Sequence, residues 1–456
     1  MDKRSRYVRI GLIVVMSALV LAAFMAPAGA GPRGHRRKDP VVSPTPVPSP
    51  SPDPSPTPDP SPSPSPTPDP SPTPDPSPSP SPTPPPVTGT VPTWSAEFMT
   101  NSSGSPGYDP GLSSALRQAR NFDVIAAHLW TYNDYVAQMK AANPDLQLFV
   151  YLNGTFSSSH SADQFPNSWY LRDKNGNKVT ANGFNTYLLD PRNPAWRTEV
   201  LRLCQTRLVY SGYDGCFVDV LGTSGVNPLS VSGIPIDPRT GREWTKLAWL
   251  EATVGIADYV RQSIAPRPVI GNGLGFGGSY FNSVAPTERI LDGLDGGMAE
   301  VFVRPATSAV NFYKNEVNWK YDVDMLADAA ARGQFVTAIT KVWTNSTSAQ
   351  QDVWHRYALG TFLLGYEPGN AYFTFRTDKT LTPPSSYWDV NIGVPVGAYA
   401  KVGGVYQRSF TGGRVLVNPT TSTVTVNLGA TYTNLGGGTV SSVTLAPHTA
   451  QILTSA

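Results

Sequence analysis

Asp214-Gly-Cys-Phe-Val-Asp-Val220 places four small or apolar residues between two aspartates, with Gly222 just beyond. A run this short, apolar throughout and bounded by turn residues reads as a strand buried on both faces, the kind found in parallel sheets. Its last carboxylate, Asp219, then stands at a strand end among apolar neighbours, where a charge costs several kcal/mol unless it is paired or used.

The same pattern recurs on either side. Trp94 to Met99, Phe122 to Leu129 and Leu146 to Leu152 precede it, the last ending in Asn153-Gly154; Pro268 to Asn272, Asp295 to Val303 and Gln334 to Thr340 follow, and the apolar stretch Phe362 to Phe375 holds one more. Helical stretches lie between them: Leu112 to Arg120, Asn133 to Ala142 with Asn133 as cap, Glu243 to Ser263 and Val323 to Arg332. Asn193-Pro194 opens another, with Val200, Leu201, Cys204 and Leu208 as its apolar stripe. Eight strands alternating with helices predict an α/β fold, a closed (β/α)8 TIM barrel over residues 92–400. Periodicity alone also fits an open doubly wound sheet, but no glycine-rich phosphate fingerprint follows the early strands. Residues 401–456 change to alternating Thr, Val and Leu with Gly and Asn between, which predicts a small antiparallel β-sandwich packed on the barrel.

The N-terminal end is of another kind. Basic residues lead into an apolar run from Ile10 to Met25, and Ala28-Gly29-Ala30 follows, so residues 1–30 read as an export signal. The run is about 16 residues, short of the ~20 that span a membrane comfortably; cleavage and an uncleaved anchor both stand open. Of the 46 prolines about half fall between Pro40 and Pro86, in Ser-Pro, Thr-Pro and Asp-Pro repeats. Residues 31–91 are thus a linker with no core, and polyproline II at ~3.1 Å per residue would carry the repeat on the order of 140 Å. The protein is expected to be secreted or held at the cell surface, with membrane or cell-wall tethering through this segment as the alternative to release. Eight basic and six acidic residues precede Val87, which leaves 27 of each in the rest of the 35 and 33. A neutral body without a basic run argues against nucleic acid as partner; a monomer is expected.

In a barrel, reactive groups belong at the C-terminal ends of the strands. Asp219 and Glu300 are carboxylates at two such ends, and such a pair is what glycosidic cleavage requires, one to protonate the leaving oxygen and one to attack or activate water. Capping by Asp219 and an ion pair of Glu300 with Arg304 are the plainer roles. His128, Asn153, Asn272 and Lys341 stand at matching strand ends, and with Arg304 they could bind sugar hydroxyls or hold a carboxylate charged. Trp130, Tyr151 and Trp343 could stack on sugar faces. No HExxH or cysteine cluster is present, so neither a metal nor another cofactor is expected.

Tyr213-Asp-Gly-Cys-Phe-Val-Asp219, Leu189-Asp-Pro-Arg-Asn-Pro-Ala-Trp196 and Gly297-Met-Ala-Glu-Val-Phe302 together resemble a glycoside-hydrolase-like family of TIM barrels, distantly similar to the α-galactosidase group. The resemblance covers about residues 92 to 400. It implies a glycoside hydrolase acting on a poly- or oligosaccharide, with Asp219 as nucleophile or base and Glu300 as proton donor. The α-galactosidase group usually has an aspartate where Glu300 stands. A carbohydrate-binding, lectin-like barrel without turnover would account for the linker and the aromatics equally well.

Alternation along the strand sends Phe217 inward with Asp219 and Cys216 outward, toward the helix that carries Cys204. Export permits oxidation, so a Cys204–Cys216 disulfide is expected, with two buried thiols as the alternative.

Overall fold

The computed structural model describes residues 90–97, 109–157, 164–184, 186–377 and 385–456. The expected export signal and nearly all of the expected proline-rich linker lie outside these residues. Among the described residues no helix is long and apolar enough to cross a membrane.

Eight parallel strands pair in sequence order: β1 Trp94–Ala96, β2 Val124–Ala127, β3 Gln147–Asn153, β4 Gly215–Asp219, β5 Val269–Asn272, β6 Gly296–Ala299, β7 Phe335–Lys341 and β8 Ala371–Arg376. A parallel bridge between Thr93 and Phe373 joins β8 back to β1, with the Phe373 amide on Pro92 O at 2.9 Å. The barrel is thus closed, and the open-sheet alternative falls. Trp94, Phe149, Phe217, Ile270, Met298, Ile339 and Tyr372 fill its interior.

Long helices cover the outside: α1 Leu112–Asn121, α2 Val136–Ala142, α3 Pro194–Ser211, α4 Lys246–Ile264, α5 Glu316–Ala331 and α6 Ser348–Gly365. The Asn193 side chain caps α3 by accepting the Ala195 amide at 3.0 Å, with Pro194 in the first turn. Asn133 does not cap α2, whose N-cap position is Tyr135. The chain leaves β2 straight into a helical turn, Leu129–Tyr132, which delays α2 to Val136. Strand β6 is shorter than its apolar run suggested, so Glu300 stands one residue past it. Helix α5 starts seven residues earlier than Val323, because Asn315 caps it. Phe362 belongs to α6, and only the end of that apolar stretch is strand.

Cys204 on α3 and Cys216 on β4 are both fully buried and form a disulfide. Phe217 points inward and Cys216 outward, as alternation required.

The loops after β3 and β4 build a core of their own. Single antiparallel bridges such as Phe156–Leu188 and Ala181–Val231 tie them together over Leu171, Val179, Val226, Trp244 and Trp249.

From Pro395 the chain forms a six-stranded antiparallel sheet: β9 Pro395–Val402, β10 Val405–Phe410, β11 Gly413–Asn418, β12 Val424–Asn434, β13 Thr439–Leu445 and β14 Thr449–Ser455, in the order β13-β12-β14-β11-β10-β9. Strand β12 breaks register between Asn427 and Tyr432, pairing with β13 along its length and with β14 at its end. Val405, Leu416, Val426, Val443 and Leu453 close a core on one side. On the other, Val415, Val417 and Ala450 lie against α6, where Gly360 is required: a Cβ there would meet the Ala450 methyl at 2.7 Å. Away from that face, Tyr313 is stacked between Trp354 of α6 at 4.3 Å and His448 of the β13–β14 turn at 4.2 Å.

Arg408 fastens this sheet to the barrel. It is 4% exposed, donates to the Leu364 and Tyr366 carbonyls, and pairs with Glu367. Arg408→Met leaves two buried carbonyls without a donor, and is expected to cost about 3 kcal/mol, or roughly 5 °C in melting temperature by calorimetry.

Candidate active site

Five neighbouring strands, β3 to β7, deliver the polar groups at the mouth. The register pairs Asn153 with Asp219, and Gly271 and Asn272 with Gly297 and Met298, so side chains far apart in sequence rise beside one another. Asn272 links the two carboxylates: its amide nitrogen donates to Asp219 Oδ1 at 3.0 Å and to Glu300 Oε2 at 2.9 Å. Those two legs cap the oxygen–oxygen separation at about 5.9 Å, and the ~120° between the amide's two N–H bonds brings it to about 5 Å.

Each carboxylate has further donors. Asp219 Oδ2 accepts the Tyr151 hydroxyl at 3.0 Å, and Oδ1 also accepts the Val220 amide at 2.8 Å. Glu300 Oε1 pairs with Lys341 Nζ at 2.5 Å, and Lys341 is 1% exposed. Burial first, then the charge of Glu300, pushes Asp219 up to about 6 against its hydrogen bonds. Burial also brings Lys341 down to about 8, although Glu300 opposes the shift.

The aromatic residues flank this network. His128 lies flat on Trp130 at 4.6 Å and edge-on to Tyr151 at 4.6 Å. Burial and then Arg207 hold its imidazole down at about 3, so it is a neutral ring at ordinary pH. The Lys341 ammonium lies 4.9 Å from the Trp343 ring centre.

Two residues from the sequence list take other duties. Asn153 Oδ1 accepts the Thr155 and Phe156 amides, capping the loop after β3. Arg304 is fully buried, bonded to Ser308 O at 2.6 Å and lying 4.4 Å over Trp354, so it neither reaches the mouth nor pairs with Glu300. Glu97 and Arg376, absent from the sequence list, follow β1 and end β8. Both are 1% exposed, and burial raises Glu97 against the pull of Ser95 and Arg376. Their signal was position alone, since each stands where a strand ends. Among the described residues no three His, Cys, Asp or Glu side chains are grouped as a metal would need.

The raised Asp219 has a consequence for stability. Above pH 6 it is ionised both folded and unfolded, and its burial then costs the fold about 3 kcal/mol; as pH falls from 6 to 4 the folded state takes the proton first and the cost fades. The neutral isostere Asp219→Asn is therefore expected to melt higher than the parent at pH 7, and level with it near pH 4. An equal gain at both pH values would refute the burial argument.

Two carboxylates about 5 Å apart, one of them beside a buried ammonium, can share acid, base and nucleophilic work. Among solved structures the chain is similar to the glycoside hydrolase domain of PelA from Pseudomonas aeruginosa (15% identity over 64% of this chain and 95% of that one, TM-score 0.41). It is also similar to an alpha-amylase from Anoxybacillus (11%, covering 79% and 97%, TM-score 0.46) and to one from Malbranchea cinnamomea (9%, covering 80% and 96%, TM-score 0.48). No curated protein matches it. The model of the family described as hypothetical glycosyl hydrolase family 15 matches residues 140–414, more than half of the chain and both carboxylates, and the protein belongs to that family of glycoside hydrolases.

Proposed function

We propose that the protein cleaves a poly- or oligosaccharide outside the cytoplasm with Asp219 and Glu300, retaining the anomeric configuration. The observation that carries this reading is the Asn272 amide shared by both carboxylates, because a gap of about 5 Å leaves no room for a water between carboxylate and sugar. An Asp219 oxygen attacks the anomeric carbon as the bond to the leaving oxygen breaks, and Glu300 gives that oxygen its proton. Water then attacks the glycosyl ester, Glu300 takes the water's proton, and Asp219 leaves as carboxylate. Tyr151, Asn272 and the Val220 amide all donate to Asp219, which suits a group that reacts as an anion. Trp130 and Trp343 offer ring faces to the sugar, and the N-terminal apolar run and proline repeat support export with a tether or spacer.

One observation favours exchanged roles. Lys341 Nζ lies 2.5 Å from Glu300 Oε1, while Asp219 is a carboxylate pushed up to about 6. With Asp219 attacking, activity falls as pH drops through about 6; with Asp219 as the acid, it falls as pH rises through about 6.

The test is a glycan panel read for reducing ends and anomeric configuration together. Retained product supports the proposal, and inverted product refutes the attack by a carboxylate. Binding without release would favour a lectin-like barrel.

A further inference from the structure

We propose that Val220 and Val303 are positioning residues, each holding one of the two carboxylates through a left-handed backbone that a β-branched residue adopts only under constraint. The inference rests on the reading of Asp219 and Glu300 as the reacting pair. Val220 has φ 61° and Val303 φ 68°; His448 is the remaining non-glycine residue with positive φ among those described. For a branched side chain this is an outlier, and such strain persists only where the surroundings impose it. Two of the three positions follow a site carboxylate, by one residue and by three.

The surroundings do impose it. Around Val220, the Thr155 hydroxyl donates to its carbonyl at 3.0 Å, the next amide, Leu221, donates to Asn272 O at 2.8 Å, and the side chain packs on the core of the loops after β3 and β4. The Val220 amide, at the head of this turn, donates to Asp219 Oδ1 at 2.8 Å.

Val303 is the centre of a γ-turn, with the Arg304 amide on Phe302 O at 2.9 Å. Its own amide donates to Asp322 Oδ2 at 3.2 Å, and Phe302 O also accepts the Thr340 hydroxyl at 2.8 Å. Asp322 is fully buried, pairs with Lys314 at 2.5 Å and accepts the Gly277 amide at 2.8 Å, so the turn is pinned to the loop after β5. Thr340 precedes Lys341 on β7, so its bond to Phe302 O ties the turn to the strand that carries the partner of Glu300.

The titratable groups facing Asp219 are Tyr151 on β3, Glu300 beyond β6 and Lys341 on β7. Neither valine titrates, so a change at Asp219 on replacing Val220 reports the lost fixation of its amide donor.

The experiment uses the full-length protein with Val220→Gly, Val303→Gly and Thr155→Val. Glycine accepts the same φ without constraint, so the fold stands while the backbone is released. All three are expected to lower kcat by about 10- to 100-fold with KM within about twofold, as a small misplacement of a reacting group does. The Asp219 carboxyl, followed by 13C NMR and assigned with Asp219→Asn, is expected to titrate at a higher pH in Val220→Gly and Thr155→Val, and at the parent value in Val303→Gly. Val220→Thr, branched alike, is expected to lose less kcat than Val220→Gly. Parent kcat and titration in Val220→Gly overturn the proposal, and so does a loss of kcat in that variant with an unmoved titration; for Val303→Gly, whose carboxylate is Glu300, a parent kcat or a KM raised along with the fall in kcat overturns it. Should Val220→Gly fail to fold, Thr155→Val decides by the same criteria. Should the parent cleave no glycan, the titration is still read, so failure of the glycosidase reading and failure of this one remain distinct.

Discussion

Asp219→Asn is expected to lower turnover on every glycan the parent cleaves by at least about a thousandfold, because an amide can neither attack the anomeric carbon nor leave as a stable anion. Folding is not the cause, since the same substitution is expected to raise the melting temperature at pH 7. Glu300→Gln is expected to behave differently. It removes the proton donor, so a substrate with a poor leaving group loses turnover by a similar factor, while an activated aryl glycoside still forms the glycosyl intermediate. Added azide, which attacks without needing a base, should then restore turnover in Glu300→Gln and give a glycosyl azide of retained configuration. If azide instead rescues Asp219→Asn on the aryl substrate and leaves Glu300→Gln inert, the two carboxylates have exchanged roles. Parent-like rates in both variants would remove the pair from the chemistry.

The second large effect belongs to Lys341. Its ammonium is buried and lies 2.5 Å from Glu300 Oε1. Lys341→Met leaves two like charges about 5 Å apart with one amide between them, and such carboxylates cannot both ionise freely. Asp219, already pushed up to about 6, must rise further, so the limb of the pH–rate profile that reports it moves toward alkaline pH. With Asp219 as the attacking group, kcat/KM at pH 6 is expected to fall by about a hundredfold and to recover partly by pH 8. Lys341→Arg keeps the charge and should move the limb far less. An unmoved limb in Lys341→Met would show that the lysine does not set the charge of the site.

Sequence reading named Asp219, Glu300, Asn272, Tyr151 and Lys341 as candidates because each stands at or near the end of an apolar run, and strand ends in a closed barrel converge on one mouth. It did not find their pairing. Arg304, four residues from Glu300, looked like its partner, whereas Lys341 lies 41 residues away. Ion pairs across parallel strands depend on the register: Ala299 stands opposite Ala338, and Glu300, just past β6, reaches Lys341 at the end of β7. The turn at Val303 is equally invisible, since nothing in a valine announces positive φ. The same limit hid the core of the loops after β3 and β4, whose bridges are single pairs spread over nearly ninety residues rather than strands with a period. The barrel, the disulfide and the sheet at the C-terminal end were legible because alternation and apolar runs encode them directly.

The stack of His448, Tyr313, Trp354 and Arg304 bears on how this protein could be taken apart or rebuilt. A β-sheet that follows a barrel in the chain is readily regarded as a module, exchangeable at the linker. Here one turn of the sheet reaches past its own interface with α6 to cover an aromatic ring from the loop between β6 and α5, the same loop that carries Arg304. A chimaera with a foreign sheet must therefore supply a flat ring at that spot as well as an apolar face for α6, or the loop loses its cover. Sheet and barrel have to be inherited together, and recombination between relatives should succeed at the proline repeat far more often than at residue 395.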